Sequence, residues 1–257
     1  MSKLVCVDFG HKGKLLGQDC GAVGNGLYES DLTEIIGKGI VKELSNYEVD
    51  IRIAPRGSLT DRTNYANSIN ADYFLSIHIN SSNNTSATGW ESFVHNNASQ
   101  NSINYQKIIH TEIMSYLKQF NIIDRGMKKA NFAVLRQTNM SACLIENLFI
   151  SNPNDAKLLK DDNFLNGLSN SITNGLVKTL NLQLKIVENE KTKDNKQEDI
   201  NMALLDWQKK LGTSAIDILS KKGIISNPEI WKDEKNLESP VPSWLFFEII
   251  KRVVEDK

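Results

Sequence analysis

The sequence predicts an α/β fold, a mostly parallel twisted sheet flanked by helices, followed by a small C-terminal helical domain. Two observations carry this. Short β-rich apolar runs alternate with helix-spaced apolar stripes up to about residue 182, the pattern of a sheet covered by helices. Beyond a charged, aromatic-free stretch the pattern changes to a compact block whose apolar residues fit helices. A third observation bears on chemistry. Leu4–Gly10 is followed by His11, Tyr73–Ile77 by His78, and Ala142–Ile145 by Glu146. Ligands in open α/β sheets gather at the carboxyl ends of strands. Three distant segments would thus deliver two imidazoles and a carboxylate to one place, the components of a hydrolytic zinc site.

The elements follow in order. Leu4–Phe9 reads as a buried strand. Ser30 or Asp31 is expected to cap a helix with the stripe Leu32, Ile36, Ile40 and Leu44. Val49–Ile53 reads as a second strand, and Thr60–Ser68 as a short polar helix leading into the strand that ends at Ile77. Asn80–Thr88 is polar loop, and Gly89–Val94 is expected at a sheet edge. Ile109, Ile113, Leu117 and Phe120 mark another helix. Phe132–Leu135 and Ala142–Ile145 read as the next strands. Phe164, Leu168, Ile172, Leu176 and Leu180 recur every four residues, the strongest helical signal in the chain.

The expected domains are 1–182, a charged linker over 183–199, and 200–257. The linker is rich in Glu, Lys, Asp and Asn and cannot bury a face. The last unit carries Leu204, Leu205, Trp207, Leu211, Ile216, Leu219 and Ile225, then Trp244, Phe247, Ile250 and Val254. It is small enough that docking or association would help to stabilise it.

Bulk properties narrow the function. A formal net charge of -1 gives no footprint for nucleic acid or anionic lipid. No apolar run approaches the roughly 20 residues of a membrane span, and the N-terminus lacks the apolar stretch and cleavage site of a signal peptide. Synthesis in the cytoplasm is expected, so work outside the cell would need another exit route. Three cysteines without a C-x-x-C argue against a disulfide framework. Cys6 and Cys143 sit in apolar strands and read as core residues. Cys20 lies in a Gly-rich loop, where a thiol is a possible metal ligand.

A catalytic zinc needs three protein ligands and an open position. His11 and His78 are candidates because side chains leave the core at strand ends, whereas His95 and His110 read as surface or packing residues. For the third ligand, Glu29 stands after the flexible run Gly21–Gly26, which lets the chain double back. Glu29 would also suit a helix start on dipole grounds alone, and Asp31 and Glu34 compete for the role. Glu146 suits a general base beside the metal. The alternative is a structural carboxylate paired with Arg62 or Arg125.

The segments also carry a resemblance. Asp8–His11, then Asp19–Ala22 with Gly24, Gly26 and Glu29, resemble the opening motif of zinc-dependent N-acetylmuramoyl-L-alanine amidases of the amidase-3 type. Leu59–Arg62 with Ala66-Asn67 and Ala71-Asp72, Ser76–Asn80, and Gly89 with Glu91 are similar to the family's next segments. Arg125-Gly126 with Phe132, Val134 and Leu135, and Leu144–Glu146 with Phe149–Asn152, resemble its later ones. The resemblance runs in order from about residue 3 to 182. It implies zinc on His11, Glu29 and His78, Glu146 as acid/base, and hydrolysis of the amide between N-acetylmuramic acid and L-alanine in peptidoglycan. Three departures stand out: Lys12-Gly13 replaces the usual Gly-Gly, Lys14–Gly17 reads as an insertion, and Cys20 stands where proline is usual.

An amidase joined by a linker to a small unit resembles a phage or prophage endolysin. On that reading the protein acts on the wall after release and residues 200–257 bind a wall polymer. Trp207, Trp231 and Trp244 could then stack on sugars or simply fill a small core. The competing readings are a metallopeptidase of the stem peptide and a non-enzymatic wall-binding protein.

Overall fold

Three central strands set the frame. β1 (Lys3–Phe9), β5 (Tyr73–Asn80) and β8 (Ser141–Phe149) are almost wholly buried. β5 pairs in parallel with both of the others. β4 (Val49–Ile53) adds in parallel to β1. On the far side β6 (Trp90–Val94) runs antiparallel to β8, and β7 (Asp124–Lys129) runs parallel to β6. The sheet order is therefore β4-β1-β5-β8-β6-β7, one mixed and mostly parallel sheet. A two-stranded ribbon, β2 (Val23–Gly24) with β3 (Leu27–Tyr28), leads into α1 (Glu29–Leu44).

The computed structural model describes residues 2–13 and 19–185, together with Ile216, Asp217, Ser220, Lys221 and Glu229. The chain divides into two compact units, Met1–Glu188 and Asn189–Lys257. Lys14–Gly17 lies outside the described residues. So do most of the expected linker and of the 200–257 unit with Trp207, Trp231 and Trp244; the five isolated positions are helical. Among the described residues no helix is long and apolar enough to cross a membrane.

Alternation along the strands divides the sheet into two unequal faces. Val5, Val7, Phe9, Leu75, Ile77 and Ile145 pack into one large core with α1, α3 (Gln100–Leu117) and α6 (Asp162–Leu180). The stripes read from sequence, Leu32-Ile36-Ile40 and Leu168-Ile172-Leu176, are buried here. Helix starts are fixed locally: Ser99 accepts from the Ser102 amide, and Asp161 from the Asn163 and Phe164 amides. On the opposite face Cys6, Phe74 and Leu144 meet α2 (Leu59–Ser68) and the one-turn α4 (Ala133–Arg136). These two short helices cover that face only partly, and the site described below occupies the gap.

Four local expectations change. Phe132–Leu135 is not a strand: Phe132 precedes α4, whose Val134 and Leu135 are buried against the thin face. The strand in this region is β7, whose sequence Asp-Arg-Gly-Met-Lys-Lys is too polar for an apolar pattern and is half-exposed because it forms the sheet edge. β6 accordingly sits one strand inside the edge. Neither Ser30 nor Asp31 caps α1, which starts at Glu29 after an extended Tyr28 that makes no side-chain cap. β5 and β8 also run further than their apolar runs, so His78 and Glu146 lie within strands rather than beyond them.

Beneath the thin face a buried ion pair ties β1, β5 and α2 together. Arg62 and Asp8 are 2% and 1% exposed, and their Nη1–Oδ1 distance is 3.0 Å. Arg62 also donates to the Phe9 and Gly57 carbonyls, and Ser76 Oγ donates to Asp8 Oδ2 at 2.7 Å. Each charge therefore has further partners, the condition under which a buried pair is tolerated. Removing the cation would strand a buried carboxylate. Arg62→Met is expected to cost ~3–5 kcal/mol of stability, read as a lowered midpoint in denaturant unfolding. An unchanged midpoint would contradict this role.

Candidate metal centre and catalytic cleft

Glu29 is the first residue of α1 and is 4% exposed. Its carboxylate is anchored by two main-chain amides, Ala22 N to Oε2 at 2.8 Å and Ile79 N to Oε1 at 3.0 Å. Its remaining lone pairs face the two imidazoles. His11 Nε2 is 3.1 Å from Oε2 and His78 Nδ1 is 3.0 Å from Oε1. One potential ligand atom from each of His11, Glu29 and His78 lies within 4.8 Å of the others. Among the described residues this is the one group of three or more His, Cys, Asp or Glu side chains so arranged.

The backbone makes this convergence possible at two glycines. Gly10 lies against β5, and a Cβ there would stand 2.6 Å from the Ile77 carbonyl and 2.8 Å from His78 Cε1. Gly21 has φ +69°, and a Cβ there would come within 2.5 Å of both Glu29 Oε2 and His11 Cδ2. His11 itself takes φ 65°, an uncommon conformation for a side chain that must leave the strand direction. Asp19 supports it from outside, with Oδ1 2.8 Å from His11 Nδ1 and accepting from the Gly21 amide. A carboxylate on the far ring nitrogen fixes the tautomer that leaves Nε2 free to ligate.

These contacts set the charges. Burial resists ionisation of Glu29, but hydrogen bonds from His11 and His78 outweigh it and hold the carboxyl well below its ordinary range. Burial likewise opposes a charged His11, and the Glu29 and Asp19 carboxylates overcome it and raise the imidazole. A pair of imidazoles drawn to one buried carboxylate is a donor set suited to a divalent cation.

Glu146 faces the same cleft. It is the register partner of His78 on one side and of Glu91 on the other. Its Oε2 is buried without a hydrogen-bond partner among the described residues. Burial first, then the Glu29 and Glu91 carboxylates, push its pKa well above the ordinary value. The expected structural alternative is not seen: Arg62 pairs with Asp8 and Arg125 with Glu91. A bulge follows immediately, where the register shifts between His78 and Asn80 and buried Leu148 takes φ 67°. The cleft encloses about 380 Å³ and is lined by His11, His78 and Glu146 with Leu59, Phe132 and Val134.

The other candidates separate from this group. Asp31 is exposed on α1, and Glu34 pairs with Lys38 and Arg56. Cys20 is half-buried and outside the His11, Glu29, His78 group. His110 is buried and bonded to Ser92 and Asp124, and His95 is bonded to Asn131.

Two supporting residues were not singled out from sequence. Asn147 donates to the His78 carbonyl and accepts from Trp90 Nε1, which fixes the main chain between His78 and Glu146. Arg56 donates to the carbonyls of Gly10, His11 and Ser30 and pairs with Glu34. Neither has a local signal, since each acts through main-chain atoms far away in sequence.

Comparison with known proteins places the chain. Residues 5–178 match the family model described as N-acetylmuramoyl-L-alanine amidase. The chain belongs to this family. It is 41% identical over 192 residues to an endolysin of Bacillus phage SPP1, spanning 72% of this chain and 69% of that one. It is 40% identical over 185 residues to a sporulation-specific N-acetylmuramoyl-L-alanine amidase of Bacillus subtilis, spanning 70% and 69%. The crystal structure of an N-acetylmuramoyl-L-alanine amidase from Clostridium difficile 630 superposes with a TM-score of 0.65 at 31% identity. It covers 70% of this chain and 97% of that one. The matched region contains every residue of the candidate centre.

Arg56 bridges two of the three segments that carry candidate ligands, those of His11 and Glu29, so its loss should loosen them together. Arg56→Ala is expected to weaken metal binding by about 10–100-fold, measured by chelator competition, with Arg56→Lys intermediate. Equal affinities in all three proteins would remove Arg56 from this role.

Proposed function

We propose that this protein hydrolyses the amide joining the lactyl group of N-acetylmuramic acid to L-alanine in peptidoglycan, with zinc held by His11, Glu29 and His78. The observation that carries the reading is the convergence of two imidazoles and a buried carboxylate beside a second, unpaired carboxylate in one cleft. Family membership supplies the substrate class. The donor set fits the ion: three ligands of mixed nitrogen and oxygen leave room for a further one, as catalytic zinc requires. Bound there, zinc would supply Lewis-acid polarisation of a carbonyl and acidification of water.

The protein's own residues supply the rest. Asp19 and the Arg56 clamp orient His11, and the Ala22 and Ile79 amides hold Glu29. Glu146 takes the proton from the attacking water and returns it to the departing amine. Its raised pKa suits both halves of that task, because a group that binds its proton more tightly is a better base and can still release it to an amine. A cation among the neighbouring ligands would offset the Glu29 repulsion and so oppose part of that rise. Leu59 and Phe132, both exposed at the cleft, offer apolar contact to the substrate.

The endolysin and the sporulation amidase are almost equally similar to this chain. We place the protein with the endolysins because a charged linker and a small unit follow the amidase region. The arrangement proposed is 1–182 catalytic, 183–199 linker, and 200–257 binding a wall polymer, with the enzyme reaching the wall after release.

Glu146→Gln is expected to lower hydrolysis of purified wall at least 100-fold, the scale of a lost general base, while zinc content stays near that of the parent. Chelation should abolish activity and added zinc restore it. New N-terminal L-alanine is the product that supports the reading. Other new peptide termini would identify a stem-peptide peptidase, and zinc-replete protein releasing no product would identify a wall-binding protein.

A further inference from the structure

Both polar atoms of the peptide group joining His78 to Ile79 are bonded to side chains. Its N–H donates to Glu29 Oε1 at 3.0 Å, and its carbonyl accepts from Asn147 Nδ2 at 3.0 Å. Two interruptions of the sheet meet here. The register of β1 with β5 ends at Phe9 and Ile77. The register of β5 with β8 shifts between His78 and Asn80, so Ile79 faces Asn147 and Leu148 together. One peptide plane thus carries the candidate ligand His78 and aims an N–H at the carboxylate of another, Glu29.

Trp90 is the next link. It is the register partner of Asn147 across β6 and β8, and its Nε1 donates to Asn147 Oδ1 at 2.9 Å. An indole N–H can only donate, and a peptide carbonyl can only accept. The Asn147 amide therefore has one orientation that satisfies both neighbours, with Oδ1 toward Trp90 and Nδ2 toward His78. Turned over, it would set N–H against N–H and oxygen against oxygen. Trp90 and Asn147 are fully buried, where unmade bonds are costly. Trp90 is itself held from two sides. Its main-chain amide donates to the Ile123 carbonyl, and its ring packs edge-on to His110 with centroids 4.9 Å apart. His110 is bonded in turn to Ser92 and Asp124. The indole is thus a fixed donor as well as a large core side chain.

Resting on the reading of His11, Glu29 and His78 as zinc ligands, we infer that Trp90 is a positioning residue for Glu29 and His78, acting through Asn147 and the His78–Ile79 peptide. Trp90 does not line the cleft. Its indole sets which end of the Asn147 amide meets the carbonyl, and that bond fixes the tilt of the peptide plane. The plane aims the N–H that anchors Glu29 and the main chain from which the His78 ring departs. A carbonyl that accepts a bond also makes the N–H of its own peptide a stronger donor, so a loss at Trp90 reaches the Glu29 carboxylate.

Zinc affinity of the full chain, measured by chelator competition, tests this in Trp90→Phe, Asn147→Leu and the two combined. Trp90→Phe is expected to weaken zinc binding about tenfold, and Asn147→Leu at least as much, the scale on which outer partners of metal ligands act. The double variant should lie within about twofold of Asn147→Leu alone, because both changes break one path. A residue that only fills the core would lower the unfolding midpoint and leave the zinc affinity of the folded protein at the parent value. Parental affinity in folded Trp90→Phe therefore overturns the inference, as do losses that multiply in the double variant. If Trp90→Phe does not fold, Asn147→Leu decides, since it keeps the indole and is similar in shape to the amide. A loss of zinc affinity there upholds the path, and parental affinity there breaks it. A parent protein that binds zinc but releases no new N-terminal L-alanine from purified wall overturns the amidase reading alone. A parent that binds no zinc overturns the zinc reading and this inference together.

Discussion

The carboxylate of Glu29 is the point on which the candidate centre depends. Two main-chain amides aim it, and it meets His11 and His78 at 3.1 and 3.0 Å. Without it, two imidazoles with ring centroids 5.2 Å apart would share a cleft with no charge to hold them as a set. The arrangement works because Glu29 opens α1, where the helix N-terminus also favours an anion. The dipole account and the ligand account of Glu29 therefore describe the same carboxylate, placed where both apply.

The sheet does the remaining alignment. Register pairs His78 with Glu146 and Glu146 with Glu91, so one row across three strands carries a candidate ligand, the proposed base and the ion cluster beyond it. Gly10 extends the row toward β1, where its missing Cβ makes room for His78. The cover on this face is short: α2 contributes ten residues and α4 four. A longer pair of helices would bury the row. The same strands carry the main core on their opposite face, so the polar row stands on a rigid base.

The carboxyls at and beside that row are driven in opposite directions. Glu29 is held below its ordinary pKa by the imidazoles, whereas Glu146 is pushed up by burial and by carboxylates on both sides. On the proposed reading, environments that drive two carboxyls apart in this way divide the work between them, Glu29 staying ionised as a ligand and Glu146 exchanging protons. Arg62 and Arg125, each a conceivable partner for Glu146 by sequence, are instead taken by Asp8 and Glu91. Neither cation is engaged with Glu146, whose Oε2 has no hydrogen-bond partner among the described residues.

Much of the fold was legible in sequence because burial writes a period into it. The four-residue spacing of α6 and the apolar runs of β1, β5 and β8 could hardly be read otherwise. β7 escaped because an edge strand need not be apolar, and Phe132–Leu135 misled because four apolar residues pack equally well as a strand or as one helical turn. Residue chemistry and segment order offered His11, His78 and Glu146, with Glu29, Asp31 and Glu34 competing for the third ligand until the family resemblance favoured Glu29. The tertiary structure alone decided which of the acids meets the imidazoles and leaves Glu146 unpaired, and it alone supplied Arg56 and Asn147. Those choices rest on sheet register and on main-chain hydrogen bonds between segments tens of residues apart, and neither leaves a local trace in composition or spacing.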